Sequence, residues 1–480
     1  MAKETRSLWR SVDSGNTLEN YLHEDRAEPE SKAREELSRA MQPMGTMPGR
    51  KFFFFSMLEE ILDIRNVQRA FRQVTANKGA GGIDGMQTDE LRDYLNTHWQ
   101  ALKADILAGN YRPQAVLKVE IPKSGGGLRM LGIPTVFDRL LGQAISQWLS
   151  PQYEAIFSEN SYGFRPGRNA HQAILQAQRN LNSGYGCIIE LDLEKFFDQV
   201  NHDKVMYLLS EKIKDKRTLK LIRSFLSSGI IENGLVSPRK EGTVQGSPLS
   251  PLISNVILDG LDKELEKRGH LFVRYADDIS VYVRSKKSAY RVMGSIITFI
   301  EKDLKLKVNQ QKSKVSRPGG STLLGFSFYA SKGVWEPRIA PKSLQGIKQK
   351  IKEQTKRSQS IGIREQIANL ESVVRGWVNY FSIAKAKTHM IRLDEMVRVR
   401  LRMIIWKQWK KVHTRLRNLI KLGIPKGKAY EWSNTRKSYC RIAHSPILCR
   451  VLDNGYFTRL NYRGFANYYY WKTEHQTKLF

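Results

Sequence analysis

A chain of 480 residues, 41% of them hydrophobic, can bury more than one core and is expected to divide into roughly two to four domains, which excludes a disordered tail. Lysine and arginine number 79 against 47 acidic residues, and the net charge of +32 calls for an anionic partner, with nucleic acid the leading class. No apolar run approaches a membrane span, the opening MAKETRSLWRSVDSG has no apolar signal core, and Cys187, Cys440 and Cys449 lack C-x-x-C spacing; a reduced, cytoplasmic protein with no membrane partner, no disulfide framework and no cysteine zinc site is therefore expected.

Residues 1–56 are polar, rich in Glu, Arg and Ser, and poorly periodic, and read as an extension of low order. The four phenylalanines of KFFFFSM, residues 51–57, read as helix-docking core rather than a ligand site. In LEEILDIRNVQRAFRQV, Leu58, Ile61, Leu62, Val67 and Phe71 recur near helical spacing, so compact structure starts close to Met57. The four glycines of NKGAGGIDGM, residues 77–86, let a loop approach another backbone closely, whether to cradle phosphate or to turn. From about 110 to 330 short apolar strands alternate with helices, and IPKSGGGLRML places Lys123 and Arg129 on either side of a glycine turn.

CIIELDLEKFFDQVNH, residues 187–202, reads as a strand entering a turn and a helix, with Glu190 and Asp192 on one face and Ile189 and Leu191 on the other. Two carboxylates on one strand face suit a solvated edge as well as a metal. FVRYADDISVYV sets Asp277 and Asp278 side by side between two strand-forming runs, where a hairpin turn and a divalent-metal site are both in play. Were Asp192 to meet this pair, three carboxylates would suffice for two magnesium ions and the phosphoryl-transfer chemistry of a polymerase.

Beyond about 340 the chain is helical and basic. Ile363, Ile367, Leu370, Val374 and Trp377 fall at helical spacing and read as core. Residues 398–428 hold eleven Lys/Arg and no Asp/Glu, which asks for an anion, and Trp406 and Trp409 within that run suit either base stacking or helix anchoring.

LDLEKFFD, VQGSPLSPLISN, RYADD, LKVNQQKSK and LLGFSF, in this order and at these separations, resemble the palm motifs of reverse transcriptases. IPKSGGGLRMLGIPTVFDRLLGQAI, SYGFRPGRNAHQAI and RGWVNYF are similar to the bacterial group II intron reverse transcriptase and maturase, and the resemblance covers about 57–480. It implies an α+β right hand: fingers and antiparallel-sheet palm over 57–335, a helical thumb or maturase domain over 340–423, and a small basic DNA-binding domain over 424–480.

The resemblance implies a role for each matching residue. Asp192, Asp277 and Asp278, with the Leu193 carbonyl, would hold two Mg²⁺; Glu190 falls outside the motif and stays structural. Phe197 would exclude a ribose 2'-hydroxyl, against core packing beside Phe196 as the alternative. Gln245 and Gly246 would touch the incoming nucleotide, although Val244 and Ser247 depart from the family's usual proline and second glycine. Lys123 and Arg129 would hold the triphosphate and Lys312 would serve the departing pyrophosphate. Arg165 would brace the fingers or touch template, and Asn169 caps a helix. The loop at 77–86 matches an insertion that closes over template.

The implied activity is RNA-directed DNA synthesis from dNTPs on an RNA template and DNA primer. The implied partners are the intron RNA, whose splicing the protein assists, and a DNA target for mobility by target-primed reverse transcription. The nuclease domain of the HNH type that many relatives carry is not expected, because Cys440 and Cys449 are spaced wrongly for it. The alternatives are a splicing cofactor without polymerisation, a reverse transcriptase domesticated for phage defence or another host system, and an RNA-templated RNA polymerase, which Phe197 disfavours.

Overall fold

The computed structural model describes residues 57–122, 128–232 and 235–477. Ten strands occur among them: β1 (Val116–Pro122), β2 (Leu128–Ile133), β3 (Cys187–Leu191), β4 (Ile230–Glu232), β5 (Leu235–Ser237), β6 (Leu271–Tyr275), β7 (Asp278–Val283), β8 (Lys314–Ser316), β9 (Phe326–Ser331) and β10 (Val334–Ile339). The chain folds into two compact units, the first built from residues up to Glu159 with Asp192–Lys267 and Ser295–Asn309, the second from Asn160–Leu191, Arg268–Gly294 and the stretch after Gln310. The low-order extension and KFFFF expected before Ser56 lie outside the described residues.

The first unit is mostly helical. The periodic stretch after Met57 forms two helices rather than one, Met57–Ile61 and Ile64–Ala76, because Asp63 accepts a hydrogen bond from the Arg65 amide and caps the second. Leu58, Ile61, Leu62, Val67 and Phe71 are all buried as the spacing predicts. Helix Ile64–Ala76 packs on helix Val136–Glu154. At the start of the latter, buried Asp138 accepts from the Tyr111 hydroxyl (2.7 Å), the Thr135 hydroxyl (2.8 Å) and the Gln114 amide (3.0 Å). Burial pushes the Asp138 carboxyl above its usual range against the pull of these bonds. The unit's sheet runs β2-β1-β4-β5, with β1 antiparallel to β2 and parallel to β4.

The second unit carries an antiparallel sheet of order β6-β7-β3-β8 and the β9–β10 hairpin. Helix Ala170–Asn182 lies against both β6 and β10. Its start has a reciprocal capping box between Asn169 and Gln172, the role expected of Asn169. One hydrophobic core runs from Ile188, Val273 and Tyr282 of the sheet through Phe326 and Phe328 into the C-terminal helices, where it includes Val374, Val397, Trp406, Phe457 and Phe465. Ile367, Leu370 and Val374 are buried in it, and Ile363 and Trp377 pack against it half-buried.

This core continues through residue 423 without a gap. The turn before helix Gly464–Thr477 is clasped by two carboxylates from other helices: Glu371 accepts from the Arg463 and Gly464 amides at 2.6 and 3.0 Å, and Asp394 from the Phe465 and Ala466 amides, both at 2.8 Å, and the Tyr462 hydroxyl at 2.7 Å. Asp394→Ala leaves two buried donors and one partly buried donor without an acceptor and is expected to cost about 4 kcal/mol, read as a fall in the urea midpoint. A midpoint unchanged from wild type would show that the C-terminal helices do not depend on this clasp.

Trp406, in the basic run, anchors the helix rather than stacking on bases. Trp406 is 2% exposed, with the Arg415 guanidinium 4.7 Å from its ring centre and Trp409 tilted against it at 5.9 Å. Some of the positive charge there is also committed to the protein: Arg402 donates to the Leu452 carbonyl, and Arg400 to the Lys352 and Thr355 carbonyls.

Candidate active site

β6 and β7 form a hairpin in which Tyr275 pairs with Asp278, leaving Ala276 and Asp277 as a two-residue turn. Ala276 takes φ +57°, a left-handed conformation that costs an alanine roughly 1–2 kcal/mol. Two features hold it there. Arg274, fully buried, donates from Nη1 to the Ala276 carbonyl at 3.1 Å. Gly163 lies against the turn so closely that a Cβ on it would collide with the Ala276 nitrogen.

The segment carrying Gly163 lies alongside β6, with the Arg274 amide donating to the Asn160 carbonyl and the Tyr162 amide to the Arg274 carbonyl, both at 2.9 Å. Arg165, also buried, braces this segment through the Ser161 carbonyl at 2.8 Å. Asp277 is thus half-buried and Asp278 exposed at the tip of a tightly supported turn.

β7 pairs with β3 in a register that sets Ile279 opposite Leu191 and Ser280 opposite Glu190. Glu190 is occupied by the Ser316 hydroxyl and by Lys314 Nζ at 3.5 Å, consistent with a structural role. Asp192 follows Leu191 directly in the chain. In the first unit its carbonyl accepts from the Asn309 amide at 2.8 Å, and Leu193 bridges Val308 with the Glu194 amide bonded to the Lys307 carbonyl. Lys312 is exposed in the turn before β8. Among the described residues, no group of three or more His, Cys, Asp or Glu side chains stands together as a metal site.

Downstream of Asp192, Lys195 turns left-handed (φ +44°) into a single 3-10 turn, Phe196–Asp198. Phe196 is buried, Phe197 half-buried, and the rings meet edge-on at 5.2 Å. The Phe197 carbonyl accepts from the Thr243 amide at 2.6 Å. Two residues on, the Gln245 carbonyl accepts from the Gly132 amide at 2.8 Å. Gly246 has φ +120°, and a Cβ there would strike the Gly132 carbonyl, so glycine is required on both counts. Phe197, Gln245 and Gly246 thus belong to one braced assembly in the first unit, with Val244 buried and Ser247 half-buried in the same loop.

Lys123 lies outside the described residues, and for Arg129 the backbone alone is described, as part of β2. The loop at 77–86 packs three of its glycines against the protein itself: a Cβ would collide with Arg139 Nη1 on Gly79, stand 2.8 Å from the Met86 carbonyl oxygen on Gly81 and 2.6 Å from Thr135 Cα on Gly82, and Arg139 Nη2 donates to the Ala80 carbonyl at 2.6 Å. Gly163, Arg274 and His202 support the site without a local pattern that marks their roles. The visible signals were an arginine inside the apolar FVRY and a histidine closing DQVNH.

The model of the family described as reverse transcriptase (RNA-dependent DNA polymerase) matches residues 121–336, and that of the group II intron maturase-specific domain matches 344–422. Protein YkfC of Escherichia coli K12 is 31% identical over 51% of this chain and 75% of its own length. The group II intron-encoded protein LtrA of Lactococcus lactis is 32% identical over 51% of this chain but 40% of its own, so the chain spans well under half of that relative. A chain of a Cas6-RT-Cas1–Cas2 complex overlaps 55% of this chain and 45% of its own at 23% identity, with a TM-score of 0.35. No helix of the described residues is long and apolar enough to cross a membrane.

Proposed function

Since the chain belongs to the group II intron-encoded type of reverse transcriptase, with a maturase-specific domain behind the polymerase, we propose that it copies RNA into DNA and binds its intron RNA to assist splicing and mobility. The observation that carries the reading is the β6–β7 hairpin, whose supported tip bears Asp277 and Asp278 while the strand paired with β7 ends one residue before Asp192.

The donors suit a hard divalent cation. Carboxylate and carbonyl oxygens are the ligands magnesium takes, and no thiol or imidazole belongs to the set. Asp192, Asp277 and Asp278, with the Leu193 carbonyl, would hold two Mg²⁺, which supply activation of the primer 3'-hydroxyl and neutralisation of the leaving pyrophosphate. The chain's own groups do the rest. Lys123 and Arg129 grip the triphosphate, Gln245 and Gly246 seat the nucleotide, and Lys312 serves the departing pyrophosphate as a positive charge or proton donor. The surplus of cations between 398 and 428 suits the phosphates of intron RNA and of a DNA target.

In this mechanism Phe197 selects the sugar. Its ring is rigid, and the backbone carrying it is pinned by Thr243, so an added 2'-oxygen meets a wall that cannot easily retreat. Primer extension on one RNA template with dNTPs and then rNTPs tests the assignment. Phe197→Ala is expected to raise ribonucleotide use relative to deoxynucleotide use by about 100-fold. Unchanged discrimination would remove Phe197 from the site.

A further inference from the structure

We propose that His202 is a positioning residue for sugar selection: its imidazole fixes the peptide plane between Gly242 and Thr243, and that plane holds the backbone of Phe197. The inference rests on the reading of Phe197 as the sugar gate and adds to it a residue that never touches the nucleotide.

His202 opens helix His202–Lys212, is 3% exposed, and places Nε2 at 2.7 Å from the Gly242 carbonyl oxygen. That oxygen can only accept, so the proton is on Nε2. Burial holds the imidazole below its ordinary range, which keeps the ring neutral at physiological pH.

The Gly242 carbonyl and the Thr243 amide are the two ends of one planar unit. The first end is held by His202 and the second donates to the Phe197 carbonyl at 2.6 Å. Turning the plane therefore moves the gate's main chain.

The fit around this plane is close. Gly242 has φ +87°, and a Cβ there would lie 2.8 Å from the Asp198 carbonyl oxygen and 3.0 Å from that of Phe197. Its own amide donates to the Val200 carbonyl at 2.7 Å, and Asn201 bridges Glu241. Backbone packs on backbone, and among the described residues His202 is the side chain that grips the carbonyl end of the plane.

Loss of the imidazole leaves the Gly242 oxygen buried without its donor and the plane secured at its amide end alone. Phe196 is buried in the core, whereas Phe197 is half-buried, so its place depends more on the backbone that carries it. A gate that rejects a single oxygen tolerates little movement, since a displacement of about 1 Å already costs large factors in rate. A residue that merely stabilised the fold would lower melting temperature and turnover with both nucleotides alike, leaving their ratio untouched.

The test measures kcat/KM for dNTP and rNTP addition by the full chain, in wild type, His202→Leu, His202→Gln, Gly242→Ala and Phe197→Ala. His202→Leu is expected to cut the preference for dNTP about tenfold. His202→Gln, whose amide can donate to the same carbonyl, is expected to restore most of the preference. Gly242→Ala displaces the same plane with the histidine intact and is expected to match His202→Leu; it carries the decision if the leucine variant does not fold. A ratio unchanged in His202→Leu and Gly242→Ala, beside a large change in Phe197→Ala, overturns the positioning role and leaves the gate standing. An unchanged ratio in Phe197→Ala overturns the gate and the positioning role with it.

Discussion

Asp277→Ala is expected to abolish cDNA synthesis, by at least about 10³-fold in a primer-extension assay with Mg²⁺, while RNA binding and assisted splicing persist. The size of the effect follows from the chemistry assigned to the turn. Removing one carboxylate from a set proposed to neutralise two divalent cations forfeits several kcal/mol of transition-state charge stabilisation. The selectivity follows from the fold. Asp277 sits in a two-residue turn whose backbone is held by Arg274 and Gly163, so the hairpin and the core behind it keep their shape. The basic run proposed to meet RNA lies in other elements, between residues 398 and 428. Retained cDNA synthesis would dismiss this hairpin as the catalytic one. Loss of splicing as well, in a protein with an unchanged melting curve, would mean that the two activities share a site, and the reading of this chain as a polymerase with a separable maturase role would fail.

What could be read from the chain beforehand depended on the range of the interactions involved. Adjacent acids between two strand-forming runs are a local pattern, and β6–β7 is a hairpin with both acids at its tip, so turn and ligand were never competing readings. The Asn169 cap and the core stripe from Ile367 to Val374 are also local and also legible. The helix break at Asp63 is not legible from apolar spacing, which runs smoothly through it; only the aspartate cap marks it. The role of Trp406 was undecidable in sequence. A tryptophan amid cations looks the same whether it faces a base or a core, and burial alone assigns it.

Least legible were the supports of the site. Gly163 meets Ala276, and His202 meets Gly242, across gaps in sequence that no periodicity spans. Glycine and histidine are each common in loops, and nothing local says which backbone they will touch. The same holds for Glu371 and Asp394, which read as ordinary acids on basic helices until the 462–466 turn is seen to donate to them.

Gly163→Ala should therefore be among the most damaging single-methyl changes in the molecule. Its Cβ would have to enter the space held by the Ala276 nitrogen, and backbone cannot rotate aside as a flexible side chain would. Either the Asn160–Tyr162 segment lifts off β6, losing its paired amides, or the turn bearing Asp277 moves outward. Both routes disturb the carboxylates: the first loosens the turn's support, and the second moves the acids directly. The expected result is a drop of about 2 kcal/mol in stability and of about 100-fold in polymerisation, the second larger than the first can explain because the misplacement falls on the reacting groups. Gly167→Ala is the matched control. Gly167 has a positive φ, +70°, and nothing lies within 4 Å of the position its Cβ would take, so the variant carries backbone strain of about 1 kcal/mol without any collision and leaves polymerisation near wild type. Equal losses of activity in the two variants would mean that general destabilisation, and not the approach of residue 163 to the hairpin, sets the effect.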